Sequence, residues 1–148
     1  MSSADHPNIT ALNKLYLKHK ASVDVSPSIL LCDRPDYRRV SLTISNRLFT
    51  LFVDDEYEDF KYNYPLLNFC LVLRELEDYK DADDFLMWCA ERHFDASDRK
   101  LKDYFIDLGN TFTEIESILG GINSFIPNMD FELSMGEVYI LRSENWNY

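Results

Sequence analysis

The spacing of apolar residues changes several times along the chain, and each change marks a predicted element. In "ITALNKLYLKH", residues 9 to 19, the residues Ile9, Leu12, Leu15, Tyr16 and His19 recur at helical spacing after Asn8, which stands where an N-cap is expected. The chain therefore opens with an amphipathic helix. "ASVDVSPS" carries turn residues and a proline and leads into "ILLC", a short strand that "DRPDY" ends. Alternation then takes over. "RRVSLTIS" places Val40, Leu42 and Ile44 on one side, "RLFTLFV" is apolar and β-prone, and "SNR" between them predicts a hairpin.

After an acidic stretch, Pro65 suits a first helical turn ahead of "LLNFCLVLRELEDY", a helix with a buried beginning and a charged end. In "DADDFLMWCAERHF", Asp83 or Asp84 starts a helix bearing Phe85, Trp88, Cys89 and Arg92 at spacings of three and four. "DRKLKDYFIDL", after the capping stretch "DAS", sets Leu101, Tyr104, Phe105 and Leu108 on one stripe, which Gly109 and Asn110 terminate. "TFTE" has the capping-box form at Thr111 and Glu114 and begins a further helix through Ile115, Ile118 and Leu119, closed by Gly120 and Gly121. "FELSMGEVYILRS" reads as two short strands around a turn from Ser134 to Gly136. The order predicts an α+β fold, a single globular domain over residues 1–148 in which about five helices pack mainly on one face of a small antiparallel sheet.

Charge changes the picture more than composition does. The net charge is −11 and the pI about 4.6, which argues against a general nucleic-acid or anionic-membrane binder, since both need a positive face. Residues 1–53 carry +3, residues 54–98 carry −10 and residues 99–148 carry −4. Two acidic groups account for the middle third. "VDDEYEDF" holds Asp54, Asp55, Glu56, Tyr57, Glu58 and Asp59; "RELEDYKDADDF" holds Glu75, Glu77, Asp78, Asp81, Asp83 and Asp84. Like charges so concentrated repel one another, and helices of an acidic protein expose acidic faces in any case. Tyrosines sit among these acids, Tyr57, Tyr62 and Tyr64 in the first group and Tyr79 in the second. Carboxylates steer and bond Lys and Arg, while tyrosine adds rigid contact area with a polar tip, a combination suited to a basic protein partner. Asp54 to Asp59 form the expected partner surface, with Glu77, Asp78 and Asp81 as its second part.

Candidate chemistry is sparse. Cys89 and His93, four apart on one predicted helix, make half of a zinc site, but the sequence offers no second pair, and a packed thiol beside an ordinary histidine is the simpler reading. "DDEYEDFKYNYP" lacks the central glycine and the twelfth-position Glu of an EF-hand loop. No GxSxG, P-loop, GxGxxG or HExxH is present, and all four glycines lie from Gly109 onward, so no phosphate-cradling glycine loop exists in the first two thirds. No catalytic residue, metal or cofactor is expected. Cys32, Cys70 and Cys89 are odd in number and lie within apolar runs, as free thiols do in a reducing compartment. "MSSADHPNIT" lacks signal-peptide features, and no apolar run approaches the roughly 20 residues that span a bilayer. A cytoplasmic location is expected.

The run "LRELEDYKDADDFLMWCAE" with the capped helices after it resembles the small acidic immunity proteins of bacterial polymorphic-toxin systems, including contact-dependent growth inhibition, over roughly residues 66 to 120. The resemblance implies a non-enzymatic protein that binds one cognate toxin domain, often a basic nuclease, and covers its active site or a nearby surface. The carboxylates would stand in for the phosphates such a nuclease binds. That class shares no site motif, so no residue role carries over. Three other readings compete: an acidic nucleic-acid mimic that blocks a DNA-binding protein, a small metal-dependent hydrolase, and an adaptor whose acids only keep it in solution.

Overall fold

The computed structural model describes residues 7–32, 34–54 and 64–120. Helix α1 (Pro7–Lys18) buries Ile9, Leu12 and Leu15, the stripe its spacing predicts. It begins at Pro7, so Asn8 lies inside the first turn and is not the N-cap; proline is well suited to that turn because its missing N–H has no partner to lose.

Three strands follow: β1 (Ser22–Leu31), β2 (Arg34–Ile44) and β3 (Arg47–Asp54). Among the described residues they form an antiparallel sheet in the order β1-β2-β3. The expected hairpin is β2–β3. Its two-residue turn, Ser45 and Asn46, has φ of 49° and 66°, the left-handed pair that matches the twist of the flanking strands. The Ser45 amide also donates to the His19 carbonyl at 2.7 Å, tying the turn to the end of α1.

The first strand corrects the sequence reading. "ASVDVSPS" is not a turn; Val23 pairs with Leu42 and Val25 with Val40, so pairing begins before the proline. The ladder then shifts register between Ser26 and Leu30, and Pro27 falls in that irregular stretch, where no ladder hydrogen bond is asked of it. "DRPDY" likewise does not lie wholly between elements, since β2 starts at Arg34. Val23, Val40, Leu42, Ile44, Leu51 and Val53 are all buried on one face of the sheet. A one-residue slip would expose every member of a strand's set, at about 1.5–3 kcal/mol per large side chain, so the register is firmly held.

Helix α2 (Pro65–Asp81) lies against β1 and β3 and is buried from Leu66 to Leu73 on all sides. It supplies much of the core. Helix α3 (Phe85–Arg92) is capped by Asp84, whose carboxylate accepts from the Met87 amide at 2.9 Å, and buries Trp88, Cys89 and Arg92 as its spacing predicts. Asp98 caps helix α4 (Arg99–Leu119) through the Lys100 amide at 2.9 Å.

The expectation of about five helices fails at α4. Residues 99–119 are one helix, so the described residues contain four helices, and neither Gly109–Asn110 nor the Thr111 capping box interrupts it. The reason for the glycine lies on α2: a Cβ at position 109 would run into the Tyr79 hydroxyl, with the ring carbon that bears it at 3.3 Å. Position 109 is empty to admit a neighbour. Glycine costs a helix about 1 kcal/mol relative to alanine, which burial of Leu101, Leu108, Ile115 and Leu119 on one continuous stripe outweighs. Gly120, at φ 78°, ends the helix as expected. The expected strands around Ser134 to Gly136 lie outside the described residues. The coarse assignment, α+β with a small antiparallel sheet, holds.

Candidate partner-binding surface

The two acidic groups meet at the end of β3. Asp54 closes that strand, and its amide donates to Glu75 Oε1 at 3.4 Å, linking the first group to α2. Glu75 is itself buried, four residues beyond Leu71 on the inward stripe of the helix. Its other oxygen faces Arg92 of α3 at 3.5 Å. Arg92 also stands 3.6 Å from Asp78, and its guanidinium lies 5.0 Å from the centre of the Trp88 ring. Burial pushes the Glu75 carboxyl up to about 7, with the Arg92 charge pulling against it and Asp78 adding to the rise. Burial raises the Asp78 carboxyl as well, opposed by Arg92 and Arg74 and reinforced by Glu91 and Asp81.

Asp54, Leu71, Arg74, Glu75 and Asp78 enclose a cavity of about 30 Å³, room for little more than a water. Two residues before Asp54 on the same strand, Phe52 is held in a similar way. Tyr104 of α4 accepts from the Phe52 amide at 2.9 Å and donates to its carbonyl at 3.4 Å, while the two rings meet edge-on at 5.3 Å. Alternate residues of a strand direct their amides the same way, so α2 and α4 grip β3 through one side of its backbone. Burial holds the Tyr104 phenol well above its ordinary range, against the Phe52 hydrogen bond, which acts to lower it.

Of the predicted partner residues, the structure places Asp54 half-buried at the strand end, Glu77 and Asp78 half-buried on α2, and Asp81 exposed at that helix's last turn. Asp55, Glu56, Tyr57, Glu58 and Asp59 lie outside the described residues, as does Tyr62. Asp54 and Asp78, 24 positions apart in the sequence, line one cavity. Tyr64 is the residue before α2, and Tyr79 packs inward, 5.2 Å from Phe105 and 5.5 Å from Phe112 between ring centres.

The sequence reading counted Glu75 in the second acidic group without assigning it to the partner surface, and did not foresee that it is interior. The signal for that was present: Leu67, Leu71 and Glu75 continue one four-residue spacing, as Trp88 and Arg92 do on the next helix. It also passed over a groove between the end of α2 and the middle of α4. This groove has a volume of about 410 Å³, aromatic walls from Tyr79, Phe105 and Phe112, and the exposed carboxylates of Asp83 and Asp84 at its edge.

Cys89 and His93 do not share a helical face. His93 is the C-cap of α3 in the left-handed conformation at φ 57°, exposed, while the Cys89 thiol is buried and pushed up by that burial. Among the described residues no cluster of three or more His, Cys, Asp or Glu is arranged to hold a metal ion, and no helix is long and apolar enough to cross a membrane. No protein-family model, curated protein or solved structure matches this chain.

Proposed function

We propose that this protein is a non-enzymatic inhibitor that binds a basic protein partner, a toxin nuclease domain in the reading that follows from its resemblance to immunity proteins. The observation that carries the proposal is the corner formed by the end of α2 and by α3. Residues 74–95 contain eight carboxylates against three basic side chains, and Arg92 is turned inward to serve Glu75. The outward field of that corner is therefore strongly negative. Such a field accelerates encounter with a cationic partner, to about 10⁸–10⁹ M⁻¹s⁻¹ at low salt, and a few desolvated anchors then set residence time. Asp54 joins this corner through Glu75.

The test is affinity capture from the source organism at low and at high salt, followed by charge reversal of Glu77, Asp78 and Asp81 and, separately, of residues 54–59. One basic protein that is toxic alone, is retained at high salt and is weakened by these reversals is the expected outcome. Unchanged affinity and salt dependence after both reversals defeat the proposal. Capture of many DNA-binding proteins, all displaced by duplex DNA, would identify a nucleic-acid mimic instead.

A further inference from the structure

We propose that the groove between α2 and α4 is a socket for an arginine side chain projecting from the basic partner. The proposal rests on the reading above for the partner, but on separate residues. Tyr79, Phe105 and Phe112 present aromatic surface inside a space of about 410 Å³, within the range of roughly 300–1,000 Å³ that holds small ligands. An apolar ligand would satisfy those walls alone. The edge decides against it.

Asp83 and Asp84 stand exposed at one end of the groove. Asp83 makes no hydrogen bond or ion pair among the described residues, and Asp84 commits Oδ1 to the Met87 amide at 2.9 Å, which leaves its Oδ2 for an incoming donor. Lys80 is the cationic member of the lining, at the α2 side. Aromatic faces beside carboxylates form the environment that a guanidinium fits best: its plane stacks on rings, it is less strongly hydrated than an ammonium, and its fork pairs with carboxylate oxygens. Phosphate-bearing ligands are repelled by the same edge, and a second copy of a chain carrying −11 brings like charge to it.

The shape depends on Gly109. Because that position carries no side chain, Tyr79 settles against α4 and its ring forms a wall of the groove rather than standing over its mouth.

The experiment is a titration of the full-length protein with the peptide acetyl-Gly-Arg-Gly-amide, followed by amide NMR shifts, alongside the lysine and citrulline versions. Saturable shifts at Phe105, Gly109 and Phe112, weaker by about three- to fivefold for lysine and lost for citrulline, are expected. The double variant D83N, D84N removes both charges while asparagine retains the helix cap, and it should weaken the arginine peptide by at least about threefold. Shifts confined to other surfaces, equal binding of citrulline, or indifference to the double variant each overturn the socket. The two readings separate cleanly. A partner that is captured and is sensitive to residues 77–81, yet indifferent to D83N, D84N, leaves the inhibitor proposal standing and removes this one; arginine binding in the groove with no basic partner does the reverse.

Discussion

Arg92 and Glu75 meet inside the protein, a guanidinium nitrogen 3.5 Å from a carboxylate oxygen, with their side chains only 6% and 9% exposed. The pair joins α3 to α2 and, through the Asp54 amide on the second Glu75 oxygen, both helices to the end of β3. A buried pair of this kind contributes little net stability over an apolar substitute, because two desolvation costs offset the attraction, but breaking one side leaves the other stranded. Arg92→Ala is therefore expected to destabilise the fold by about 3–5 kcal/mol at pH 8, read from urea denaturation, whereas the double replacement Glu75→Leu, Arg92→Met should cost far less. Equal losses for the single and double variants would remove the pair from its proposed role.

Stability should also depend on pH in a stated direction. The Glu75 carboxyl has an ordinary value of 4.5 and is raised to about 7 in the folded protein. Between those values the folded state holds a proton that the unfolded chain has released, so the contribution of this group is fully present below pH 4.5 and is lost as pH rises through 7. Relative to Glu75→Gln, the wild type should lose on the order of 2–3 kcal/mol between pH 4.5 and pH 8. The check is the difference in urea midpoint between the two proteins across that window; a difference that does not change with pH contradicts the assignment.

Gly109→Ala should destabilise α4 although alanine is the better helix former. The new methyl group meets the Tyr79 hydroxyl, and that ring is held between Phe105 and Phe112. Overpacking of this sort costs about 1–3 kcal/mol, against a propensity gain near 1 kcal/mol. In a Tyr79→Phe background, where the hydroxyl is gone, the penalty should shrink toward zero. A thermodynamic cycle over the four proteins measures the coupling.

Removing the Tyr104 hydroxyl takes both a donor and an acceptor from the Phe52 backbone. Tyr104→Phe is expected to cost about 1–3 kcal/mol and to speed hydrogen exchange at the Phe52 amide well beyond the change at Leu42 or Val40 in the neighbouring strand. Uniform acceleration across the sheet would mean that the hydroxyl acts on global stability alone.

The elements that were legible in the sequence are those whose local signals agree with their packing. Trp88, Cys89 and Arg92 recur at helical spacing and are buried together, and Ser45–Asn46 is a turn by its own chemistry and by its place between two alternating runs. Gly109–Asn110 misled because a glycine beside an asparagine is locally the same whether it ends a helix or admits a ring from another one; only the Tyr79 contact distinguishes them. The proline in β1 misled for a related reason, since a register shift depends on β2 across the ladder and leaves no mark in β1 itself. For the candidate surface, charge concentration marked the middle third of the chain, but it did not separate Glu75, which is interior, from Asp81 and Asp83, which face solvent. The groove was not legible at all, because Tyr79 and Phe112 are 33 positions apart and meet only through the packing of α2 on α4.

Trp88 sits at the centre of this packing, 1% exposed, with Phe85, Phe94, Tyr104 and Phe105 around it and the Arg92 charge over its ring. The chain has one other tryptophan, Trp146, which lies outside the described residues. With Trp146 replaced by phenylalanine, the fluorescence of the protein becomes the emission of a single indole set between the charged pair and the aromatic walls of the groove. Its wavelength would then report the state of that region directly, and the protein carries its own optical gauge for the junction of α2, α3 and α4.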